Sequence, residues 1–189
     1  MVRDELVVAG DPLFDHRQTS ARDKLLSILT NKVIYSSPMN FIPTERRAVC
    51  FTECIWEGLR RLADNYSSYG VVFSKRLIFD SGGGPALYLR GDVLAALGAK
   101  IPEELHPFIA PFDPEGVGTR GVRNDWLQER EWRLPESLSF DYADIEYVLV
   151  ESIKDATDIV YHIGAHQLPE SKVIPMEVYR NIKEAWRES

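Results

Sequence analysis

The sequence predicts an α+β fold, a mixed or antiparallel sheet carrying a few helices. Three observations point there. Apolar residues fall at helical spacing in two stretches of the first third, and β-rich runs bounded by charge or glycine recur from residue 48 onward. The length of 189 residues suits one domain with a sizeable core, expected over 1–189.

The elements can be justified in order. In "SARDKLLSILTNKVIY", Ser20 is placed to cap a helix at about 20–30, with Leu25, Leu26, Ile28 and Leu29 on one face and Asn31 as the C-terminal cap. "VIYSS" follows as a short strand, and "RAVCFTE" reads as a buried strand. "CIWEGLRRLADNY" carries Ile55, Leu59 and Leu62 at helical spacing, with Arg60, Arg61 and Asp64 outside. "YGVVFSKRLIFD", the turn "SGGG" and "PALYLRGD" read as a β-hairpin, and "VLAALGA" (93–99) as a short helix ending at glycine. Residues 102–123 hold four prolines and three glycines, which predicts a mobile loop. "IEYVLVES", "DIVYHIG" and "KVIPMEVY" read as three further strands, and the chain closes on the amphipathic "NIKEAWRES".

Composition narrows the function classes. No apolar run approaches the roughly 18 residues that span a membrane. The acidic opening "MVRDELVVAGDP" lacks the basic flank of a signal peptide, so the expected location is the cytoplasm and no membrane partner is expected. A net charge of −7 argues against a nonspecific nucleic-acid binder. The charge is polarised, however: "ERR" (45–47), Arg60–Arg61 and "SKR" (74–76) precede the acidic "LPESLSFDYADIEY", which hints at an anionic ligand near the first half.

Several motifs read blandly. Cys50 and Cys54 in "CFTEC" find no histidine pair at metal spacing, so free thiols, buried or half-buried, are expected and no metal. A catalytic cysteine would need a histidine base beside it, which sequence does not supply. "SGGGP" lacks the Lys-Ser/Thr of a phosphate loop and reads as a turn.

"WLQEREWRLP" (126–135) is more informative, because Glu129, Arg130, Glu131, Trp132 and Arg133 stand together just before a proline. Combined with the early "FDHRQTS" and the central "YSSYGVVFSK", it supplies a carboxylate beside arginines, a histidine and tyrosines. That set suits a reaction passing through a ribosyl oxocarbenium ion. The carboxylate would steady the cation or activate the incoming group, the histidine would hold a ribose hydroxyl, and a tyrosine would stack on a planar ring. The bland counterparts are a loop anchor for His16, a core position for Tyr69 and a surface pair of Glu131 with Arg133.

"ILTNKVIYSSPMNF", "VCFTE", "LRRLADNYSSYGVVFSK", "ALYLR" and "WLQEREWRL" occur in that order, within residues 13–135. In this set the chain resembles a widespread bacterial family of unknown function and its relatives, the AbiGi abortive-infection proteins. These show a "cFsE" strand, a "Y..yGi.f.K" strand and a late "W..E.EwR". A second resemblance, carried by "FDHRQTSARDKLLSILTNKVI", is to ADP-ribosyltransferases, including DarT-type DNA-modifying toxins, many of which open on "yHyTs...l..Il...l". His16 and Thr19 fall on the His and Thr of that pattern, while Arg17-Gln18 stand where an aromatic is usual.

The resemblance implies an ADP-ribosyltransferase-like fold with NAD as substrate. It implies Glu131 as the catalytic glutamate, with Glu129 second. It implies His16, Arg17, Thr19, Arg133 and a central aromatic, Tyr69 or Tyr88, at the NAD site. The implied setting is phage defence or a toxin–antitoxin system, modifying nucleic acid or protein, with a cognate toxin or antitoxin as partner. The alternative is a non-enzymatic antitoxin or interaction module. A metal-dependent nuclease fits worse, because no Asp/Glu/His set appears at ligand spacing.

Geometric expectations follow. Strands near 48–53, 70–74 and 86–90 should share one sheet, and Glu131 should face the same cleft as Tyr69. Arg133 and Trp132 should back Glu131, and Pro135 should end its element. The 102–123 loop should be more mobile than the sheet and lie beside that cleft as a lid or binding loop, with Arg120 and Arg123 placed to reach a pyrophosphate or nucleic-acid phosphate. A partly exposed Glu131 pair should contribute only about 0–1 kcal/mol.

Overall fold

The computed structural model describes residues 20–38, 47–53, 67–117, 123–124, 127 and 130–178. In chain order these form α1 (Ala21–Asn31), β1 (Val33–Ile34), β2 (Ser37–Pro38), β3 (Arg47–Thr52), β4 (Gly70–Phe73), α2 (Lys75–Asp80), β5 (Gly84–Pro85) and β6 (Leu87–Arg90). Then come α3 (Gly91–Leu97), β7 (Ile109–Val117), β8 (Arg123–Asn124), β9 (Glu131–Leu134), β10 (Leu138–Ser139), β11 (Ile145–Val150), α4 (Ile153–Ile163) and β12 (Val173–Pro175). Helix and sheet are mixed, as an α+β fold requires.

The chain divides into two compact units, one of residues 1–34, 55–77 and 139–189, the other of residues 35–54 and 78–138. In the first, β11 runs parallel to β12 on one side and antiparallel to β4 on the other. Leu25 and Leu29 of α1, Ile145, Val148 and Val150 of β11, and Ile159 of α4 are fully buried there. In the second unit β2, β3, β9 and β5 form an antiparallel sheet in that order. A separate sheet joins β6, β7 and β8, with β6 and β7 parallel.

Local chemistry accounts for where expectation and structure agree. Ser20 caps α1, its Oγ accepting from Asp23 N at 3.2 Å. The helix closes one residue later than expected: Lys32, at φ 53°, takes the left-handed capping position, and Asn31 instead donates to Ser27 Oγ. "RAVCFTE" forms β3 as expected, and α3 ends at Gly98, whose φ is 46°. β9 stops at Leu134, immediately before Pro135.

Other expectations are corrected. "YGVVFSKRLIFD" is not one strand of a hairpin. β4 ends at Phe73, and Ser74 Oγ accepts from Leu77 N at 3.1 Å, which starts α2. The glycine turn does form: Gly82 (φ 90°) and Gly83 return their N–H groups to Phe79 and Ile78. Gly83 has no alternative, since a Cβ would lie 2.6 Å from Ile78 Cγ2 and 2.8 Å from the Ile78 carbonyl oxygen. β3, β4 and β6 lie in three different sheets rather than one. "VIYSS" makes two short strands, β1 and β2, rather than one.

The proline-bearing stretch is also ordered differently from a bare loop. Glu103–Phe108 is a 3-10 helix and Ile109–Val117 is a strand. Pro111 stands within β7, opposite Leu89 of β6. "DIVYHIG" is helical, not extended. Ser152 caps α4, and Ala156, Ile159 and Ile163 bury one face at spacings of three and four. "IEYVLVES" and "KVIPMEVY" supply β11 and β12 as expected. The expected helix of "CIWEGLRRLADNY" lies outside the described residues, as do "NIKEAWRES" and residues 118–122, Arg120 among them.

Candidate functional site

β9 is the middle of its sheet at the chemistry-bearing positions. On one side Glu131 pairs with Thr52, Trp132 with Phe51 and Arg133 with Cys50; on the other Arg133 pairs with Gly84 and Trp132 with Pro85. Side chains alternate along a strand, so 131 and 133 share one face and 132 takes the other. Both faces are occupied by polar networks.

On the first face Glu131 and Arg133 are both buried, with Arg133 Nη2 donating to Glu131 Oε2 at 3.0 Å. Arg133 Nη1 also donates to the carbonyl oxygens of Pro107 and Ile109. The guanidinium is thus tied to the end of the 3-10 helix and the start of β7, as its fork of donors allows. A buried pair of this kind survives only because extra hydrogen bonds offset the loss of hydration. Among the described residues, Arg133 is the one donor aimed at the Glu131 carboxylate.

On the second face the partner is Glu53, just past the end of β3. Trp132 Nε1 donates to its Oε2 at 3.1 Å, and Arg130 Nη2 lies 2.8 Å from its Oε1. Glu53 N also donates to the Arg130 carbonyl at 3.3 Å. Arg130 holds φ 46°, in the left-handed region that non-glycine residues seldom adopt.

His106, in the 3-10 helix one residue before Pro107, is buried too. Its Nε2 lies 3.1 Å from the Ile101 carbonyl, which makes that nitrogen the N–H, while Nδ1 has no hydrogen-bond partner among the described residues.

Two expectations for Glu131 are therefore corrected. It is not a half-exposed carboxylate but a buried one, paired with the arginine two residues on that shares its strand face. Trp132 does not back it, since its indole turns to Glu53 on the opposite face and does more than pack. The bland reading, a surface pair with Arg133, is right about the partner and wrong about the burial.

Tyr88 sits half-buried in β6, opposite Ala110. Tyr69 belongs to the other compact unit than Glu131. Its hydroxyl donates to Asp155 Oδ2 at 3.0 Å. Burial, then that hydrogen bond, push the phenol well above its ordinary range, so it stays a donor. Arg123 is described only as backbone of β8, while His16, Arg17, Thr19 and Glu129 lie outside the described residues.

Around Asp155 the first unit builds its own network. Ser152 Oγ donates to Asp155 Oδ2 at 2.7 Å, and Arg22 Nε reaches Oδ1 at 3.1 Å. Burial alone would raise this carboxyl; the hydrogen bonds from Ser152, Tyr69 and Arg22, with the charge of Arg22, outweigh it and hold the group below the usual range.

Sequence reasoning passed over Glu53, His106 and Asp155. Asp155 had a readable signal, the Ser152-x-x-Asp155 capping pattern. Glu53 had only its place in "VCFTE". Among the described residues no group of three His, Cys, Asp or Glu is placed to hold a metal ion, and no helix is long and apolar enough to cross a membrane. Searches of protein-family models, of curated proteins and of solved structures each found no match to this chain.

Proposed function

We propose that the chain is an NAD-dependent ADP-ribosyltransferase-like protein of a phage-defence or toxin–antitoxin system, with Glu131 as the catalytic carboxylate and nucleic acid or protein as acceptor. One observation carries the reading. Glu131 stands on a strand with one oxygen held by an arginine that is itself anchored to two backbone carbonyls. Such a carboxylate is preorganised, and preorganised charge is what stabilises a cation developing at a sugar carbon. As the bond from the ribose C1′ to nicotinamide breaks, the leaving ring takes the electron pair and the carboxylate faces the oxocarbenium ion. Arg133 sets the carboxylate's orientation in this scheme, and its link to the NAD site runs through Glu131.

The same pair favours a second reading. An arginine that neutralises a buried glutamate and ties two carbonyls also suits a scaffold, as in a non-enzymatic antitoxin or interaction module. Calorimetric titration with NAD separates the two. Saturable binding, with NAD cleavage that Glu131→Gln lowers by about 10²-fold, supports the enzyme. Absence of NAD binding and of turnover with DNA, RNA and protein acceptors would put the interaction module first.

A further inference from the structure

We infer that Glu53 is a positioning residue for Glu131, acting through both of that residue's chain neighbours. The activity arm of this inference rests on the function proposed above; the structural arm stands without it. The geometry is specific. Arg130 and Trp132 flank Glu131, and both direct their side chains to the two oxygens of one carboxylate, Glu53 Oε1 and Oε2. Glu131 projects to the opposite face, where Arg133 receives it. Gripping residues on either side of a position fixes the direction in which that position's own side chain leaves the strand.

The main chain adds to the grip. Glu53 N donates to the Arg130 carbonyl, Arg130 N donates to the Leu127 carbonyl, and Ala86 N donates to the Glu131 carbonyl at 2.8 Å. Together these ties hold Arg130 at φ 46° directly before the strand begins. A non-glycine residue stays in that region only where its surroundings over-determine it, and such positions gather where geometry serves function. Were residue 130 to relax to an extended conformation, the chain would enter β9 from another direction and the Glu131 carboxylate would leave its place beside Arg133. Glu53 thus acts on Glu131 through the residues on either side of it.

The test uses the full chain and two variants. Glu53→Ala removes both side-chain ties; Glu53→Gln keeps an acceptor for Trp132 and loses the charge opposite Arg130. Nuclear magnetic resonance reads the Trp132 indole N–H, assigned through Trp132→Phe, and the Arg133 guanidinium N–H groups, assigned through Arg133→Lys. If Glu53 positions Glu131, the Arg133 signals shift or broaden in Glu53→Gln, since Arg133 holds the carboxylate that Glu53 positions. Should only the Trp132 signal move, Glu53 is a local tie and the inference is overturned. In NAD turnover, kcat should fall by about 10-fold or more with KM nearly constant, the scale for displaced supporting groups. Wild-type kcat in a folded Glu53→Gln would overturn it as well. A wild-type chain without NAD turnover counts against the proposed function, and the resonance comparison then decides the role of Glu53. If Glu53→Ala does not fold, Glu53→Gln supplies both readouts.

Discussion

Two arginine–carboxylate pairs, one in each compact unit, have nearly equal lengths and opposite architectures. Arg133 and Glu131 meet at 3.0 Å with side chains 4% and 9% exposed; Arg22 and Asp155 meet at 3.1 Å with side chains 34% and 15% exposed. In the first pair the arginine is the hub, since it serves Glu131 and two backbone carbonyls. In the second the carboxylate is the hub, taking donors from Arg22, Tyr69 and Ser152. A carboxylate with three donors is committed to structure. Among the described residues Glu131 has a single donor, and in the proposed function its remaining lone pairs are the ones left for a reacting atom.

The comparison breaks most sharply at Arg133. Arg133→Met leaves the Glu131 charge buried and two carbonyls without their donor, so denaturant unfolding should show a loss of about 3–5 kcal/mol. Adding Glu131→Leu removes the orphaned charge and should recover more than half of it. A single variant as stable as wild type would mean that water reaches the pair in solution.

Glu131→Gln comes next. It keeps an acceptor for Arg133 and drops the charge, so stability should fall by about 1–3 kcal/mol rather than the near-zero change expected of an exposed pair. NAD turnover, in the proposed function, should fall by about 10²-fold. Thermal unfolding and turnover on one preparation check both. An active variant would remove Glu131 from the catalytic role.

Asp155 sharpens the other side. Its folded carboxyl titrates below the ordinary range, so its contribution is fully present above the unfolded value of about 3.9 and is lost as pH falls through the lower folded value. Asp155→Asn should cost about 1–3 kcal/mol at neutral pH and progressively less below about pH 4. Parallel unfolding curves for the two proteins across that acid range would contradict the assignment.

What the sequence made legible follows the reach of its signals. The Ser20 cap, the β3 run and the stop at Pro135 all depend on neighbours within a few positions. "DIVYHIG" misled because valine, isoleucine and tyrosine favour strands, yet the Ser152 cap and the Ala156–Ile159–Ile163 spacing outweigh that preference. "SKRLIFD" misled similarly, with Ser74 as the unread cap. Glu53 was out of reach altogether: its partners are Trp132 of β9, 79 positions away, and Arg130 directly before that strand. Arg22 and Asp155, 133 positions apart, meet only once α1 and α4 are folded.

The smallest effect belongs to Arg90 and Asp92, a control that separates geometry from burial. Like Glu131 and Arg133 they stand two positions apart. Their geometry is the better of the two, with Arg90 Nε and Nη2 at 3.0 and 2.9 Å from the two Asp92 oxygens. Yet their side chains are 74% and 64% exposed. Water screens such a pair and side-chain entropy opposes it, so a forked contact gains little there. Asp92 also accepts from Val93 N in the first turn of α3, a bond that asparagine preserves. Asp92→Asn should therefore leave the melting temperature unchanged within error at both low and high salt. A loss comparable to that of Glu131→Gln would show that contact geometry, not burial, sets the strength of these pairs.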